Sequence, residues 1–284
     1  MEKIAVVTDT GSNLSFEQAK ELGIYLLPLQ ITIDETTYQD TLEISTQDIY
    51  NELANGKMPK TSMAAYQKIY DLFEELKKDY DTIFAVPLTN GLSTNASTMQ
   101  SIARELEMNV HVIDMYATCA LEKHVAIWIK RLVDEHKSSE EILKIIQPAI
   151  DESNSLILVK NLQHLKRGGR LTPMAAALAG LLKIYPVLHI NKSTEGRIDV
   201  LNKVRTEKRA DAYAIDKIMD DIDIQHTHIY IIHSNFLEGA DHFKKCFIEK
   251  GVPEQNIHID YISSVIAVHT VLGCIAIQYI REEN

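Results

Sequence analysis

The sequence predicts an α/β protein of two lobes, because apolar strands alternate with helical segments in its first half and a hairpin appears in its second. The first strand, Ile4–Val7, is a continuous apolar run, which is typical of a strand buried in a parallel sheet. We therefore expect a parallel-sheet lobe with helices on both faces over residues 1–155. A mixed α/β lobe is expected over residues 156–284, and the lobes could exchange segments.

Each further element of the first lobe follows from apolar spacing or a capping signature. Apolar residues recur at helical spacing within 64–80, and Ser45 with Asp48 marks the start of a helix that runs to Ala54. One predicted helix begins at Ser15, and the others cover Ser45–Ala54, Ala64–Tyr80, Asn95–Leu106 and Thr118–Glu135. The predicted strands after the first are Leu26–Ile33, Thr82–Leu88 and Val110–Met115.

The second lobe is predicted to contain antiparallel pairing. The strands Val187–Asn191 and Ile198–Val204 follow each other across Glu195-Gly196, which indicates a hairpin. Further strands are predicted at Ser155–Val159, Ile229–His233 and Ile257–Ile262, and helices at Gly239–Lys250 and, as an apolar C-terminal helix, Val265–Tyr279.

Charge and cysteine usage exclude several classes of protein. A net charge of −11 over 284 residues disfavours binding to nucleic acid or to anionic lipid. The cysteines Cys119, Cys246 and Cys274 are far apart, which suits a reducing compartment and disfavours a cysteine-based zinc site. With no signal peptide and no span-length apolar run, we expect a cytoplasmic protein without stable membrane insertion.

The sequence Asp9-Thr10-Gly11-Ser12 follows the first strand and resembles two catalytic loops. An aspartic protease would need an all-β fold, and a phosphatase with a nucleophilic aspartate would need a second aspartate at position 11. Two interpretations stay open: Asp9 ties its loop to nearby backbone donors, or it belongs to the mouth of a ligand site.

Hydroxyl groups precede two predicted helices. Lys60-Thr61-Ser62 could cap a helix or hold an anion, and capping is the simpler interpretation. The loop Thr89–Asn95 lies at the carboxyl end of a strand, where open α/β sheets bind ligands. Ser93 is outside a Gly-x-Ser-x-Gly elbow, so nucleophilic catalysis has little support.

A basic loop and a small-residue segment lie in the second lobe. Lys166–Arg170 could bind an anion or dock an acidic partner, or it could be a turn whose glycines supply positive φ. The helix predicted over Thr172–Leu182 could line an apolar tunnel or pack closely against another helix.

Histidines offer two further candidates. His269-Thr270, within an apolar segment, is either a satisfied structural pair or a donor to a bound carboxylate. His226 and His228 have metal-like spacing, but no third ligand is evident, so no metal is expected.

Taken in order, motifs along nearly the whole chain resemble the DegV family of bacterial fatty-acid-binding proteins. The basic Gly-Gly-Arg loop is the most specific of them. The motifs are Thr8-Asp9-Thr10, Leu27-Pro28-Leu29, Tyr38-Gln39-Asp40, Pro59–Ser62, Leu92-Ser93 with Ser97, Val112-Ile113-Asp114, Leu165–Leu171, Lys203–Thr206 and His269-Thr270 with Gly273.

The resemblance implies a carrier that holds a long-chain fatty acid in an apolar tunnel between the lobes, without an enzymatic activity or cofactor of its own. It implies that Thr61 and Ser93 hold the carboxylate, with Ser62, His269 and Thr270 close by. Some members present the acid to a separate fatty acid kinase, and no nucleotide-binding loop is evident here. Departures from the family pattern are Met63-Ala64-Ala65, Thr94-Asn95-Ala96, Met115–Glu122 and the residues around His269.

Two alternatives remain open at this point. An acyl-ester hydrolase would use Ser93 with His269, although no orienting carboxylate is evident. A partner-docking role would use Arg170 and Arg205 against an acidic surface, and it is compatible with fatty-acid binding.

Overall fold

The computed structural model describes residues 2–181 and 183–282. In chain order, the strands are β1 (Ile4–Asp9), β2 (Tyr25–Leu27), β3 (Gln30–Ile33), β4 (Thr36–Gln39), β5 (Lys60–Ser62), β6 (Thr82–Val86), β7 (Asn109–Val112), β8 (Asn154–Leu158), β9 (Tyr185–Ile190), β10 (Asp199–Val204), β11 (Thr227–His233), β12 (Ile257–Tyr261) and β13 (Ile275–Arg281). The helices are α1 (Phe16–Leu22), α2 (Thr46–Ala54), α3 (Tyr66–Leu76), α4 (Asn95–Glu105), α5 (Ala120–Asp134), α6 (Ser139–Glu152), α7 (Leu162–Arg167), α8 (Pro173–Leu178), α9 (Glu207–Asp221), α10 (Leu237–Glu249) and α11 (Ser264–Thr270).

The chain divides into two compact units. Unit 1 comprises Met1–Pro148 and Ser263–Val268, and unit 2 comprises Ala149–Ile262 and His269–Asn284. The division therefore falls within α6 and again within α11, so the chain passes between the units more than once.

Unit 1 contains a parallel sheet of strand order β2-β1-β6-β7. Every residue of β1 and of β6 is buried, so both faces of these central strands are covered. The predicted α/β class and the parallel sheet of the first half are confirmed. The carboxyl ends of the strands lie at one edge of the sheet, called here the carboxyl edge.

A second, antiparallel sheet of unit 1 has the order β4-β3-β5. The single strand predicted over Leu26–Ile33 is wrong, because the structure divides it at Pro28. The part before Pro28 pairs with β1, and the part after it pairs with β4 and β5. Proline has no N–H group to donate to a neighbouring strand. The chain can therefore pass from one sheet to the other at Pro28 without losing a backbone N–H hydrogen bond.

Two helices of unit 1, α1 and α2, begin with capping boxes. Ser45 accepts a hydrogen bond from Asp48 N–H and Asp48 bonds back to Ser45, so the predicted capping box of α2 is confirmed. Ser15 and Gln18 form a second such box at α1. Helix α5 packs on β1 and β6, which places its first turn beside the carboxyl edge.

Unit 2 is built on a six-stranded mixed sheet of order β10-β9-β8-β13-β11-β12. β9 and β10 pair antiparallel, which confirms the predicted hairpin. One face of the sheet packs on α9 and α10 through a core that includes Leu156, Val187, Ile231, Ala214 and Phe247.

The apolar C-terminal helix predicted over Val265–Tyr279 is wrong in its second half. Helix α11 ends at Thr270, Val271 and Gly273 have φ of 56° and 80°, and β13 follows. β13 lies in the interior of the sheet, paired antiparallel with β8 and β11. A strand covered on both faces has a continuous apolar sequence, which periodicity does not distinguish from a buried helix.

Among residues 2–181 and 183–282, no helix combines the length and the apolar character that crossing a bilayer requires.

Candidate functional site

Asp9 connects two loops at the carboxyl edge of unit 1. Its Oδ1 accepts a hydrogen bond from Gly11 N–H at 2.8 Å. Its Oδ2 accepts from Leu88 N–H at 2.9 Å and from the Asn95 side-chain amide at 2.6 Å. The first interpretation of Asp9, a carboxylate that ties its loop to backbone donors, is confirmed. Asp9 also fixes the loop after β6 and the start of α4.

Glycine is required at position 11 because side chains lie close to its Cα. A Cβ there would come within 2.7 Å of Asp9 Oδ1, 3.0 Å of Glu122 Oε2 and 3.2 Å of Leu88 Cβ. Cys119 N–H donates to the Gly11 carbonyl at 3.0 Å, so the loop after β1 also holds the residue preceding α5.

A second buried carboxyl group, Glu122, lies beside Asp9. Both side chains are fully buried, and the hydroxyl of Thr8 bonds to Glu122 Oε1 at 3.3 Å. Burial, followed by the negative charge of Asp9, raises the pKa of Glu122 well above its usual value. Burial raises the pKa of Asp9 as well, but hydrogen bonds from Leu88, Gly11 and Asn95 oppose that rise. Of these two adjacent carboxyl groups, Glu122 is therefore the one that more readily keeps a proton.

The Ser93 loop is fixed by short-range hydrogen bonds. Ser93 N–H donates to the Thr89 carbonyl at 3.0 Å, and Ser93 Oγ accepts from Asn95 N–H at 3.1 Å. Ser93 is partly buried, and the Asn95 amide oxygen is buried with no hydrogen-bond partner among the described residues. Neither Thr89 nor Asn95 supplies a base for the hydrolase alternative.

Thr61 and Ser62 lie on a strand rather than at a helix start. They belong to β5, where Ile31 pairs with Thr61 and Gln30 with Ser62. The predicted capping role is wrong: α3 begins at Tyr66, and its N-cap, Ala65, makes no side-chain hydrogen bond. Neighbouring residues of a strand face opposite sides of the sheet, so Thr61 and Ser62 do not share a face. The Ser62 hydroxyl donates to Gln30 Oε1 at 3.1 Å.

Met63 brings the segment of Thr61 and Ser62 together with the segment of Ser93. Its sulfur accepts hydrogen bonds from the hydroxyls of Thr94 and Thr98, each at 3.4 Å. Thr94 directly follows Ser93, and Met63 directly follows Ser62. The structure therefore places these two hydroxyl-bearing segments side by side in unit 1.

A further buried carboxyl group of unit 1 is Asp40, which accepts a hydrogen bond from the Ser264 hydroxyl. Burial raises the pKa of Asp40 to about 6, against the opposing hydrogen bonds from Ser264 and Thr10. The adjacent Ser263 hydroxyl lies 3.5 Å from the thiol of Cys119. Residues 263–268 are thus attached to unit 1 by polar contacts as well as by packing.

His269 and Thr270 belong to unit 2, where His269 packs against the basic loop. A Cβ on Gly168 would lie 2.6 Å from His269 Nδ1, so glycine permits this close approach. Burial, with smaller contributions from Arg170 and His164, lowers the pKa of His269 to about 4. The ring is therefore neutral at pH 7, and a neutral imidazole carries one N–H donor. Thr270 is buried.

The basic loop closes the end of α7. Gly169 has φ of 73°, which agrees with the interpretation of the loop as a turn. Gly168 has a helical φ of −64°, and glycine is favoured there because of the nearby His269 ring. Arg170 donates to the Gly168 carbonyl. Arg205 is exposed between β10 and α9.

The predicted small-residue helix is shorter than Thr172–Leu182. Thr172 caps α8, which ends at Leu178, and Gly180 has φ of 96°. Leu182 lies outside the described residues.

The histidines with metal-like spacing have other partners. His226 Nδ1 lies 2.8 Å from Asp223 Oδ2, and His228 Nδ1 lies 3.1 Å from His258 Nε2. In the part of the chain that the structure describes, no three His, Cys, Asp or Glu residues are grouped so as to hold a metal ion.

Comparison with known proteins identifies the family. The family model described as DegV, an uncharacterised protein family, matches residues 3–282. The chain belongs to the DegV family. A DegV domain-containing protein of Halalkalibacterium halodurans is 30% identical over 289 aligned positions, which cover 100% of both chains.

Two solved DegV structures match the whole fold. A fatty-acid-binding DegV family protein of Streptococcus agalactiae has a TM-score of 0.91 and 28% identity, over 100% of both chains. DegV of Bacillus subtilis, described as a fatty-acid-binding protein, has a TM-score of 0.86 and 26% identity, over 99% of this chain and 100% of its own.

Sequence reasoning missed Glu122 and the role of Asn95. Glu122 occupies the same helical stripe as Val125, Ala126 and Ile129, all of which are buried, so its position on the apolar side of α5 was a usable signal. The contact of Asn95 with Asp9 joins residues that are 86 positions apart and had no local signal.

Proposed function

We propose that this DegV protein binds a long-chain fatty acid and carries it without chemical change. The observation that carries the proposal is the juxtaposition, through Met63, of the two hydroxyl-bearing segments at the carboxyl edge of unit 1. Supporting it, two relatives that match the full length of the fold are described as fatty-acid-binding proteins.

The head group is proposed to be held by Thr61 and Ser93, with Ser62 nearby. Hydroxyl groups donate to a carboxylate, and hydrogen bonds to a charged group contribute about 1.5–3 kcal/mol each. His269 and Thr270 are proposed as further donors on the basis of the family resemblance, and a neutral His269 would donate a hydrogen bond rather than form an ion pair.

The acyl chain is proposed to lie in an apolar tunnel and to supply most of the affinity. Burying a sixteen-carbon chain contributes roughly 12 kcal/mol before costs, at about 0.8 kcal/mol per CH₂. The hydroxyls are needed chiefly to orient the acid and to select a carboxylate.

Native mass spectrometry of protein purified from a bacterial host tests the proposal. We expect a co-purified acyl acid, and we expect the double variant Thr61→Ala/Ser93→Ala to bind added palmitate at least about tenfold more weakly. The matched control is Thr36→Ala/Ser101→Ala, which removes two exposed hydroxyls from the same unit. Empty parent protein that takes up neither palmitate nor oleate would overturn fatty-acid binding. Equal affinity of the two double variants would overturn only the assignment of the head group.

We further propose that the loaded protein presents its acid to a separate fatty acid kinase through Arg170 and Arg205. Charge reversal of both arginines should abolish acyl phosphate formation by such a kinase with ATP, while the acid stays bound. Lys203→Glu, an exposed charge reversal on β10, is the control. Unchanged acyl phosphate formation by the arginine variant would refute the docking role.

A further inference from the structure

Unit 2 contains a cavity of about 370 Å³ on the face of its sheet that α9 and α10 cover. Its lining includes Ala210 and Asp211 of α9, Phe236 and Phe243 at and within α10, and Ile275 of β13. Ala210, Phe243 and Ile275 belong to the core of this face. The volume falls in the range of about 300–1,000 Å³ that small-molecule sites occupy, and the lining combines apolar side chains with a few charged ones.

One carboxylate of the cavity lacks a close partner. Among residues 2–181 and 183–282, no hydrogen bond or ion pair reaches Asp211, and only longer-range attraction from His242 and Lys160 acts on it. Asp211 is partly buried, and this burial raises its pKa. A carboxylate in apolar surroundings is costly unless a donor or a cation meets it.

The lysine of the cavity is already engaged. Lys160 forms an ion pair with Glu207, and its ammonium lies 5.1 Å from the centre of the Phe236 ring. Its side chain packs on Gly273, where a Cβ would lie 3.1 Å from Lys160 Cγ. The closest partners of the Lys160 ammonium are therefore Glu207 and the Phe236 ring, and Lys160 acts on Asp211 only at longer range.

The charges of the lining favour a cation. Three carboxylates, those of Glu207, Asp211 and Glu238, line the cavity together with one lysine and one histidine. After the pairing of Lys160 with Glu207, the Asp211 and Glu238 carboxylates remain. The aromatic side chains Tyr185, Phe236 and Phe243 suit an apolar or aromatic body.

We propose that this cavity is a second ligand site, which binds a small organic cation, an amine carried on an apolar body, with its ammonium on Asp211. The site is separate from the hydroxyl groups proposed for the fatty-acid head group, and it does not depend on that proposal.

Titration with phenethylamine, followed by protein-observed NMR on the full chain, tests the site. In the parent protein, the amide signals of Asp211, Phe236 and His242 should shift and saturate. The anion 3-phenylpropanoate, with a similar aromatic body, should produce no such shifts.

Three variants separate the effect of the Asp211 charge on binding from general effects on the fold. Asp211→Asn should weaken phenethylamine binding about tenfold, as expected for loss of a charge-assisted hydrogen bond. Asp220→Asn removes an exposed carboxylate from the same helix and should leave binding unchanged. Asp211→Glu keeps the charge and should retain affinity within about threefold, which guards against a fold defect at this position.

The proposal is overturned by any of three results. These are absence of shifts at these residues with millimolar phenethylamine, equal affinity of Asp211→Asn and the parent, or binding of 3-phenylpropanoate as tight as that of the amine.

Discussion

The Asn95 side-chain amide donates to Asp9 Oδ2 at 2.6 Å, so the start of α4 is fixed to the end of β1. Asn95 N–H meanwhile donates to Ser93 Oγ at 3.1 Å. One residue therefore connects the buried Asp9 to the hydroxyl proposed to hold the ligand. The position of Ser93 thus depends on a group that does not itself carry the ligand.

Replacing Asp9 with asparagine should destabilise the protein by about 2–4 kcal/mol. An asparagine keeps only one acceptor oxygen, so either the Gly11 N–H or the two donors of Leu88 and Asn95 would face an amide NH₂ group, and the bonds that remain would lose the help of the negative charge. Urea unfolding measures the change. Asp134→Asn, an exposed member of an i,i+4 pair with Lys130, should cost less than about 0.5 kcal/mol. Similar unfolding curves for the two variants would contradict this role of Asp9.

Glu122→Gln should change how stability depends on pH. Because the folded-state pKa of Glu122 is raised, the folded protein keeps a proton that the unfolded chain releases above pH 4.5, and the free energy of unfolding falls as pH rises. Glutamine removes this dependence. The quantity to compare is the free energy of unfolding of Glu122→Gln minus that of the parent. We expect this difference to increase by at least about 1 kcal/mol from pH 5 to pH 8.

Urea titrations of both proteins at the two pH values provide this measurement. Glu135→Gln, an exposed substitution just after α5, should follow the parent at both pH values. A constant difference between Glu122→Gln and the parent would show that Glu122 is ionised in the folded protein.

For His269 we expect the opposite pH dependence to that of Glu122: its contribution should lower the stability of the protein as the pH falls below neutral. Its pKa is lowered to about 4, so between the unfolded value of about 6.5 and pH 4 the unfolded chain takes up a proton that the folded protein excludes. Stability is therefore lost as pH falls through this window. Between pH 7.5 and pH 5, the parent should lose about 1–2 kcal/mol more than His269→Asn.

Chemical denaturation at the two pH values, on protein freed of lipid, gives this comparison. His136→Asn replaces an exposed histidine and should lose stability as the parent does. If His269→Asn also follows the parent, the ring is protonated or solvated in the folded state.

Gly168→Ala should displace His269. The added methyl would lie 2.6 Å from His269 Nδ1, so the ring or the loop must shift, at a cost of about 1–3 kcal/mol. Gly169→Asn is the matched control, because its Cβ would meet no atom within 4 Å and asparagine tolerates a φ of 73°. Thermal unfolding and the His269 ring signals in NMR spectra report both effects. An unmoved His269 signal in Gly168→Ala would contradict the close contact.

Continuous apolar runs made the strands of unit 1 predictable. Ile4–Val7 and Thr82–Leu88 lie in a sheet whose central strands are buried on both faces, so each residue contributes to the same apolar signal. The closeness of the polar loops after these strands was predictable as well, since the shared strand direction places them at one edge of the sheet.

Elements whose environment is set by distant chain segments were not predictable. Lys60–Ser62 is short and polar, and it is a strand because β3 pairs with it. Ile275–Arg281 is apolar enough for a buried helix, and its antiparallel neighbours β8 and β11 make it a strand. Local pattern carries no information about which partner strand is available.

The sequence by itself determined the α/β class, the resemblance to the DegV family and the identity of the hydroxyl-bearing segments, because these follow from local patterns and ordered motifs. Only the tertiary structure decided that Asp9 bonds to Asn95, that burial beside Asp9 raises the pKa of Glu122, and that Met63 joins the segments of Ser62 and Ser93. The physical reason is that burial and hydrogen bonding act through space, between residues as far apart in the chain as Asp9 and Asn95.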